Sequence, residues 1–242
     1  MFVSNFPSRS ICLPLASLAV AGLAMSASGA VLVDFGSSNT SGVIGGNHFN
    51  AWNPGNNIDL IETDGVTDSG WNLASTTPAV TNNGSSPDFV FNYNGAPTPF
   101  ADDSIVSDAL NLQPGVVRNV RFFNLDALTE YEVVIYAGRD SSQTRVTTYT
   151  LVAEAGGTVL DSGTLQTSGV GSGTGSTYNN DDLLTLKGTT DSDGELFLQY
   201  EATTGDFGYL NALQFNVVPE PASMVLVGLG GFCLASGRRR AR

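Results

Sequence analysis

Short apolar segments separated by turn-forming residues recur along the chain between residues 31 and 217. They read VLVDF, IDLIE, DFVFNY, VVRNVRFF, EYEVVIYAG, TRVTTYTLVAEA, GTVLD, LLTLK, GELFLQYE and GYLNALQFNVV. Apolar and polar positions alternate in several of them, with Val133, Ile135 and Ala137 on one face, which is the period of a half-buried strand. Because no long helical period occurs, the pattern predicts an all-β domain of about ten strands, folded as a two-sheet β-sandwich.

The first 30 residues have a different pattern and form a separate unit. A lightly basic segment with Arg9 precedes the apolar run ICLPLASLAVAGLAM, and the small residues SASGA follow. This order is typical of a secretory signal helix, with Ser28 and Ala30 placed for cleavage ahead of Val31. Pro14 inside the run argues against the alternative, a buried N-terminal helix.

The last 25 residues, 218–242, form a third unit and read VPEPASMVLVGLGGFCLASGRRRAR. The apolar stretch from Ala222 to Gly237 has 16 residues, fewer than the roughly 20 of an ordinary membrane-spanning helix. It predicts a short hydrophobic helix whose terminal arginines stay on the cytoplasmic side. Two prolines keep the approach to this helix extended and exposed.

The order of these features resembles the PEP-CTERM sorting signal. The resemblance implies that an exosortase-type membrane enzyme recognises Pro219, Glu220 and Pro221 and cleaves near them. It also implies a Gram-negative bacterium that makes exopolysaccharide. The protein would pass through the secretion machinery, be anchored transiently in the inner membrane, and reach the cell surface or the extracellular space. A C-terminal anchor that is never cut is the alternative. The residues assigned to sorting are Val218, Pro219, Glu220, Pro221, Arg238, Arg239 and Arg240.

Charge and cysteine content narrow the functions of the body, residues 31–217. Between Asp34 and Glu220 the chain has 23 acidic and five basic residues, a net charge of −18. Such a surface repels phosphate backbones, so nucleic acid is excluded as a partner. Cys12 and Cys233 both lie outside the body, which therefore has no disulfide, thiolate metal site or cysteine nucleophile. The Gly/Ser/Thr stretch 162–180 is interpreted as a loop within one domain.

Four segments of the body, VLVDFGSS, LDALTEYEVVIYAGR, RVTTYTL and GYLNALQF, resemble galactose-binding-like jelly-roll modules of secreted bacterial proteins. The resemblance implies a jelly-roll sandwich whose last strand returns beside the first, and it is compatible with a structural calcium ion. The segment LDALTEYEVVIYA also resembles the tyrosine corner of fibronectin type III domains, in which the hydroxyl of Tyr131 would brace a turn. The body is about twice the length of that fold.

Few residues point to catalysis or to a metal. His48 is the single histidine, and no G-x-S-x-G motif occurs, so a serine hydrolase and a histidine zinc site are disfavoured. A pair of Asp or Glu residues, as in glycosidases, is the remaining route to catalysis. The sequence DSDGE contains Asp191 and Asp193, which indicate either a calcium loop or, more simply, a hairpin turn. No cofactor is predicted.

Carbohydrate binding needs aromatic faces and hydrogen-bonding side chains. The candidates are Trp52, Trp71 and Tyr93 for stacking, with Arg139 and Arg145 as donors. The alternative is that both tryptophans fill the core and that both arginines pair with carboxylates. The leading hypothesis is a non-catalytic surface or matrix protein that binds exopolysaccharide. The alternatives are a glycan-active enzyme with an Asp/Glu pair and a purely structural matrix protein.

Overall fold

The structure is a computed structural model. It describes residues 29–35, 42–52, 56–75, 97–101, 105, 109–171, 179 and 181–219. The predicted signal helix and the apolar stretch of the tail lie outside the described residues. No helix among the described residues has the length and apolar character that a membrane crossing requires.

The described residues form short strands joined by turns, as the segment pattern predicts, but the interpretation of 162–180 as a loop is wrong for residues 162–168, which belong to a strand. Fourteen strands are present in this part of the chain: β1 Val31–Phe35, β2 Gly42–Ile44, β3 Asn47–Trp52, β4 Ile58–Ile61, β5 Asp68–Ser75, β6 Leu110–Leu112, β7 Val117–Phe123, β8 Glu130–Tyr136, β9 Arg145–Val152, β10 Val159–Ser168, β11 Leu184–Thr189, β12 Leu196–Thr204, β13 Gly208–Leu210 and β14 Ala212–Val217.

Twelve of these strands build two six-stranded sheets. The first sheet has the order β11-β8-β14-β1-β3-β2, the second has the order β10-β9-β12-β7-β5-β4, and β6 pairs with β13 in a small separate ladder. The prediction of an all-β, two-sheet sandwich is confirmed. The last strand, β14, lies antiparallel beside β1, with Val33 opposite Leu213, while β3 lies parallel on the other side of β1.

The core lies between the two sheets, and alternation explains which side chains enter it. Val133 and Ile135 of β8 are buried there together with Tyr131. The rings of Tyr131 and Phe122 stack on Phe215 of β14, at centroid distances of 4.9 and 4.4 Å. A second apolar cluster on the opposite face of the first sheet includes Leu32, Phe49, Phe100, Ile105, Tyr136 and Ala212. Strand β1 is buried on both faces for this reason.

The turn that precedes β8 is braced by Tyr131, as the tyrosine-corner resemblance implies. Its hydroxyl accepts a hydrogen bond of 2.9 Å from the backbone N–H of Asp126. Burial raises the pKa of Tyr131 to about 12, because the charged phenolate is disfavoured away from water. The hydroxyl therefore stays protonated at physiological pH.

The strands define two opposite ends of the sandwich. In the β8–β14 pair, Val217 lies opposite Tyr131 and Ala212 lies opposite Tyr136. We call the first end the tail end, formed by residues 124–130, the turn 190–195 and residues 216–219. We call the other the loop end, formed by residues 137–145, 168–171 and 204–209. The sorting motif therefore begins at the tail end.

Candidate functional site

Both tryptophans lie in the core. Trp52 is 1% exposed and its indole N–H donates to the carbonyl oxygen of Asn56 (2.9 Å). Trp71 is 3% exposed and lies edge-on to Tyr131 and Phe215. Neither ring has a face open to a sugar, so the assignment of both tryptophans as stacking residues is corrected, and the core-packing alternative describes them. The spacing of Trp71 and Leu73, two residues apart on β5, is the sequence signal for this burial.

The two candidate arginines lie at the loop end. Arg145, the first residue of β9, donates from its guanidinium to the hydroxyl of Tyr209 (2.6 Å) and to the side-chain oxygen of Gln143 (2.8 Å). The guanidinium carbon lies 5.5 Å from the ring centre of Phe207 and 5.7 Å from that of Tyr209. We call Gln143, Arg145, Phe207 and Tyr209 the Arg145 cluster.

The hydrogen-bond partners of Arg145 among the described residues are neutral. No carboxylate partner of this guanidinium occurs in the part of the chain that the structure describes. The guanidinium lies beside two aromatic rings and donates to two neutral acceptors. Its positive charge is therefore not neutralised by these partners. Because residues 34–220 carry a net charge of −18, the positive Arg145 cluster is opposite in sign to this part of the chain as a whole.

Backbone geometry holds the cluster in place. Gly205 has φ +83°, and a Cβ atom there would lie 2.7 Å from the carbonyl oxygen of Thr144. Only glycine fits this turn, which brings Phe207 next to β9. On β13, the backbone N–H of Tyr209 donates to the hydroxyl of Thr147 (3.0 Å). The ring of Tyr209 is thus fixed from the backbone side, and that of Phe207 is half-buried.

Arg139 completes the electrostatic surroundings of the cluster. Burial raises the pKa of the Tyr209 hydroxyl, while the charges of Arg145 and Arg139 oppose that rise and Asp206 adds to it. The backbone N–H of Arg139 donates to the carbonyl oxygen of Thr167 (2.9 Å). The charges of both candidate arginines therefore act on the same phenol, although only Arg145 contacts it.

The DSDGE segment forms a turn at the tail end. One carboxylate oxygen of Asp191 accepts hydrogen bonds from the backbone N–H groups of Asp193 (2.9 Å) and Glu195 (3.0 Å). Gly194 has φ +72°, and a Cβ atom there would overlap the carbonyl oxygen of Leu125. The segment is therefore a turn, but the expectation of a hairpin is wrong, because β11 before it belongs to the first sheet and β12 after it to the second. No group of three His, Cys, Asp or Glu side chains placed to hold a metal occurs among the described residues.

Some of the remaining predicted positions lie among the described residues and others lie outside them. Tyr93, Ser28, Glu220, Pro221, Arg238, Arg239 and Arg240 lie outside the described residues. Ala30 is described, and its carbonyl oxygen accepts a hydrogen bond of 2.9 Å from the N–H of Thr63. Val218 donates from its N–H to the carbonyl oxygen of Glu130 (2.9 Å), and Pro219 is exposed.

A protein-sorting signal follows the last strand directly. Residues 217–240 match the PEP-CTERM protein-sorting motif. The chain carries a PEP-CTERM sorting signal. The resemblance of the tail residues to this signal is confirmed. The signal implies export and processing by an exosortase, which is a membrane enzyme.

Several solved structures resemble the body. A family 35 carbohydrate-binding module from Cellvibrio japonicus Abf62 aligns at 17% identity over 50% of this chain and 78% of that chain, with a TM-score of 0.31. A family 35 carbohydrate-binding module from Clostridium thermocellum aligns at 13% identity over 41% and 70%, with a TM-score of 0.28. A family GH115 4-O-methyl-alpha-glucuronidase aligns at 16% identity over 47% and 15%, with a TM-score of 0.32. No curated protein sequence matches the chain.

Proposed function

We propose that this exported protein is a non-catalytic component of the cell surface or extracellular matrix, and that its sandwich binds polysaccharide at the Arg145 cluster. The observation that carries the proposal is the half-buried ring of Phe207 beside the guanidinium of Arg145. Aromatic faces stack on sugar rings, and guanidinium groups donate to hydroxyl and carboxylate oxygens. The cluster brings together one group from the turn before β13 and one from the start of β9.

The position of the cluster supports the proposal. It lies at the loop end, whereas the sorting signal leaves from the tail end. The six residues of β14 alone separate the two ends by about 20 Å. While the chain is anchored by its tail, the Arg145 cluster faces away from the membrane, toward the polymers outside.

A binding screen tests the proposal. The body, residues 31–217, is run through native gels that contain xylan, a neutral glucan or alginate, and retardation reports binding. The Phe207→Ala variant is expected to bind about three- to tenfold more weakly, the value of one aromatic contact. Val66→Ala is the matched control, because Val66 is 85% exposed and lies in the β4–β5 turn, away from the loop end.

Three results contradict the proposal. Equal binding by wild type and Phe207→Ala would remove the cluster as the binding site, and absence of binding to every polymer of the panel would favour a purely structural matrix protein. Release of new reducing ends from a polysaccharide would favour the glycan-active enzyme, with its Asp/Glu pair, over a non-catalytic module.

A further inference from the structure

The folded sandwich and the sorting motif are joined without a spacer. Strand β14 pairs with β8 as far as Val217, which lies opposite Tyr131. The next residue, Val218, continues the ladder through its N–H, which donates to the carbonyl oxygen of Glu130 (2.9 Å). Pro219, the first residue of the Pro-Glu-Pro motif, follows immediately. The motif therefore begins one residue after the last ladder hydrogen bond.

A processing enzyme and strand β8 compete for the same backbone. Enzymes and receptors that bind extended peptides use the main-chain N–H and C=O groups on both sides of the recognised side chains. Pro219 and Pro221 have no N–H to offer. The nearest N–H on the N-terminal side belongs to Val218, and it is occupied by Glu130.

The membrane is close as well. From Val218 to Ala222, where the apolar stretch of the tail begins, the chain has four residue steps and reaches at most about 14 Å. The polar interfacial layer of a bilayer is about 5–8 Å thick on each side. An anchored chain therefore holds the tail end against the headgroups, which leaves little room for an enzyme to reach the motif.

The end of β14 can open without disturbing the core. Phe215 is fully buried between the sheets, whereas Asn216, Val217 and Val218 are only half-buried. Local opening of a strand end with few apolar contacts costs far less than global unfolding. Release of these three residues lengthens the free chain by about 10 Å.

We infer that the end of β14 gates processing, so that the sorting enzyme binds the Pro-Glu-Pro motif only after residues 216–218 leave β8. The inference rests on the sorting function of the tail and is independent of polysaccharide binding. Processing of the folded chain is then limited by this local opening. Access to the motif thus depends on the fold that precedes it.

An insertion tests the gate in the full chain. A Gly-Ser-Gly-Ser segment between Val218 and Pro219 supplies the missing spacer, and pulse-chase labelling in a host with an exosortase measures the processing rate. We expect about a five- to tenfold faster rate, since the hydrogen bond from Val218 to Glu130 no longer has to open first. The same insertion between Ala155 and Gly156, in the exposed β9–β10 turn, is the matched control and leaves the rate unchanged.

A reversible lock tests the same gate in the opposite direction. Asn216 lies opposite Glu132 in the β14–β8 pair, so Asn216→Cys with Glu132→Cys places two thiols at the spacing that a disulfide needs. Cys12 and Cys233 lie outside the body, and both chains carry Cys233→Ser so that the thiol of the tail cannot compete. We expect the oxidised variant to be processed at least about fivefold more slowly than wild type, and dithiothreitol to restore the rate.

The outcomes separate this inference from the sorting function. A spacer variant processed at the wild-type rate, together with a locked variant processed normally, would overturn the gate. A spacer variant processed more slowly would also overturn it, because the enzyme would then require the adjoining sandwich. If the wild-type chain is not processed by an exosortase at all, the sorting function itself is contradicted.

Discussion

Removal of the Tyr131 hydroxyl tests whether that group holds the turn before β8. In Tyr131→Phe the ring and its contacts with Trp71 and Phe215 remain, and only the hydrogen bond from the N–H of Asp126 is lost. A partly buried hydrogen bond contributes about 0.5–1.5 kcal/mol, and a donor left unsatisfied costs about 1–3 kcal/mol. We expect the free energy of unfolding to fall by about 1–2 kcal/mol.

Urea unfolding of the body, followed by far-UV circular dichroism, measures this change. Tyr200→Phe is the matched control. Tyr200 is as deeply buried, but its hydroxyl has no hydrogen-bond partner among the described residues. Removal of the Tyr200 hydroxyl removes the cost of burying an unpaired polar group. This variant is therefore expected to be as stable as wild type or more stable. Equal losses in the two variants would refute the assignment of the Tyr131 hydroxyl as a brace.

Three further predictions concern stability. In urea unfolding, Gly194→Ala is expected to lower the free energy of unfolding by about 2–4 kcal/mol, because the added Cβ meets backbone and φ is positive. Gly156→Ala, where φ is +76° and the added Cβ has open space, is expected to lower it by about 1 kcal/mol. Equal losses in the two variants would contradict this. Asp191→Ala is expected to lower the free energy of unfolding by about 1 kcal/mol in calcium or in EDTA alike; a loss seen only with calcium would indicate a metal loop. Burial raises the pKa of Tyr149 and of Tyr200 above the unfolded value of 10, so these groups favour the folded state fully below pH 10 and lose that contribution as the pH rises above it; a flat urea midpoint from pH 9 to 12 would contradict this.

The strands and the brace could be predicted from the sequence because their signals are local. Alternation along Val133, Ile135 and Ala137 indicates one buried face whatever the partner strands are. The turn and Tyr131 lie within one short segment, and the hydrogen bond spans only five residues. Residue spacing within one short segment is therefore sufficient to predict both the buried face of the strand and the Tyr131 hydrogen bond.

The candidate site could not be predicted in full because its contacts are between distant strands. Arg145 meets Tyr209 across 64 residues, and no periodicity in the sequence shows which strands are neighbours. Phe207 lies in the turn just ahead of the GYLNALQF segment, outside the strands that the pattern predicts. Trp52 and Trp71 were assigned to a site from residue type, although their positions on β3 and β5 turn both rings inward.

The most direct test of the account follows the mature protein in its native host. Cells that make exopolysaccharide and cells that do not are fractionated into matrix and medium, and the processed body is quantified in each. The account predicts that the wild-type body stays in the matrix only when polysaccharide is made, and that Phe207→Ala is processed normally but moves into the medium. An identical distribution of wild type and variant in both kinds of cell would contradict it.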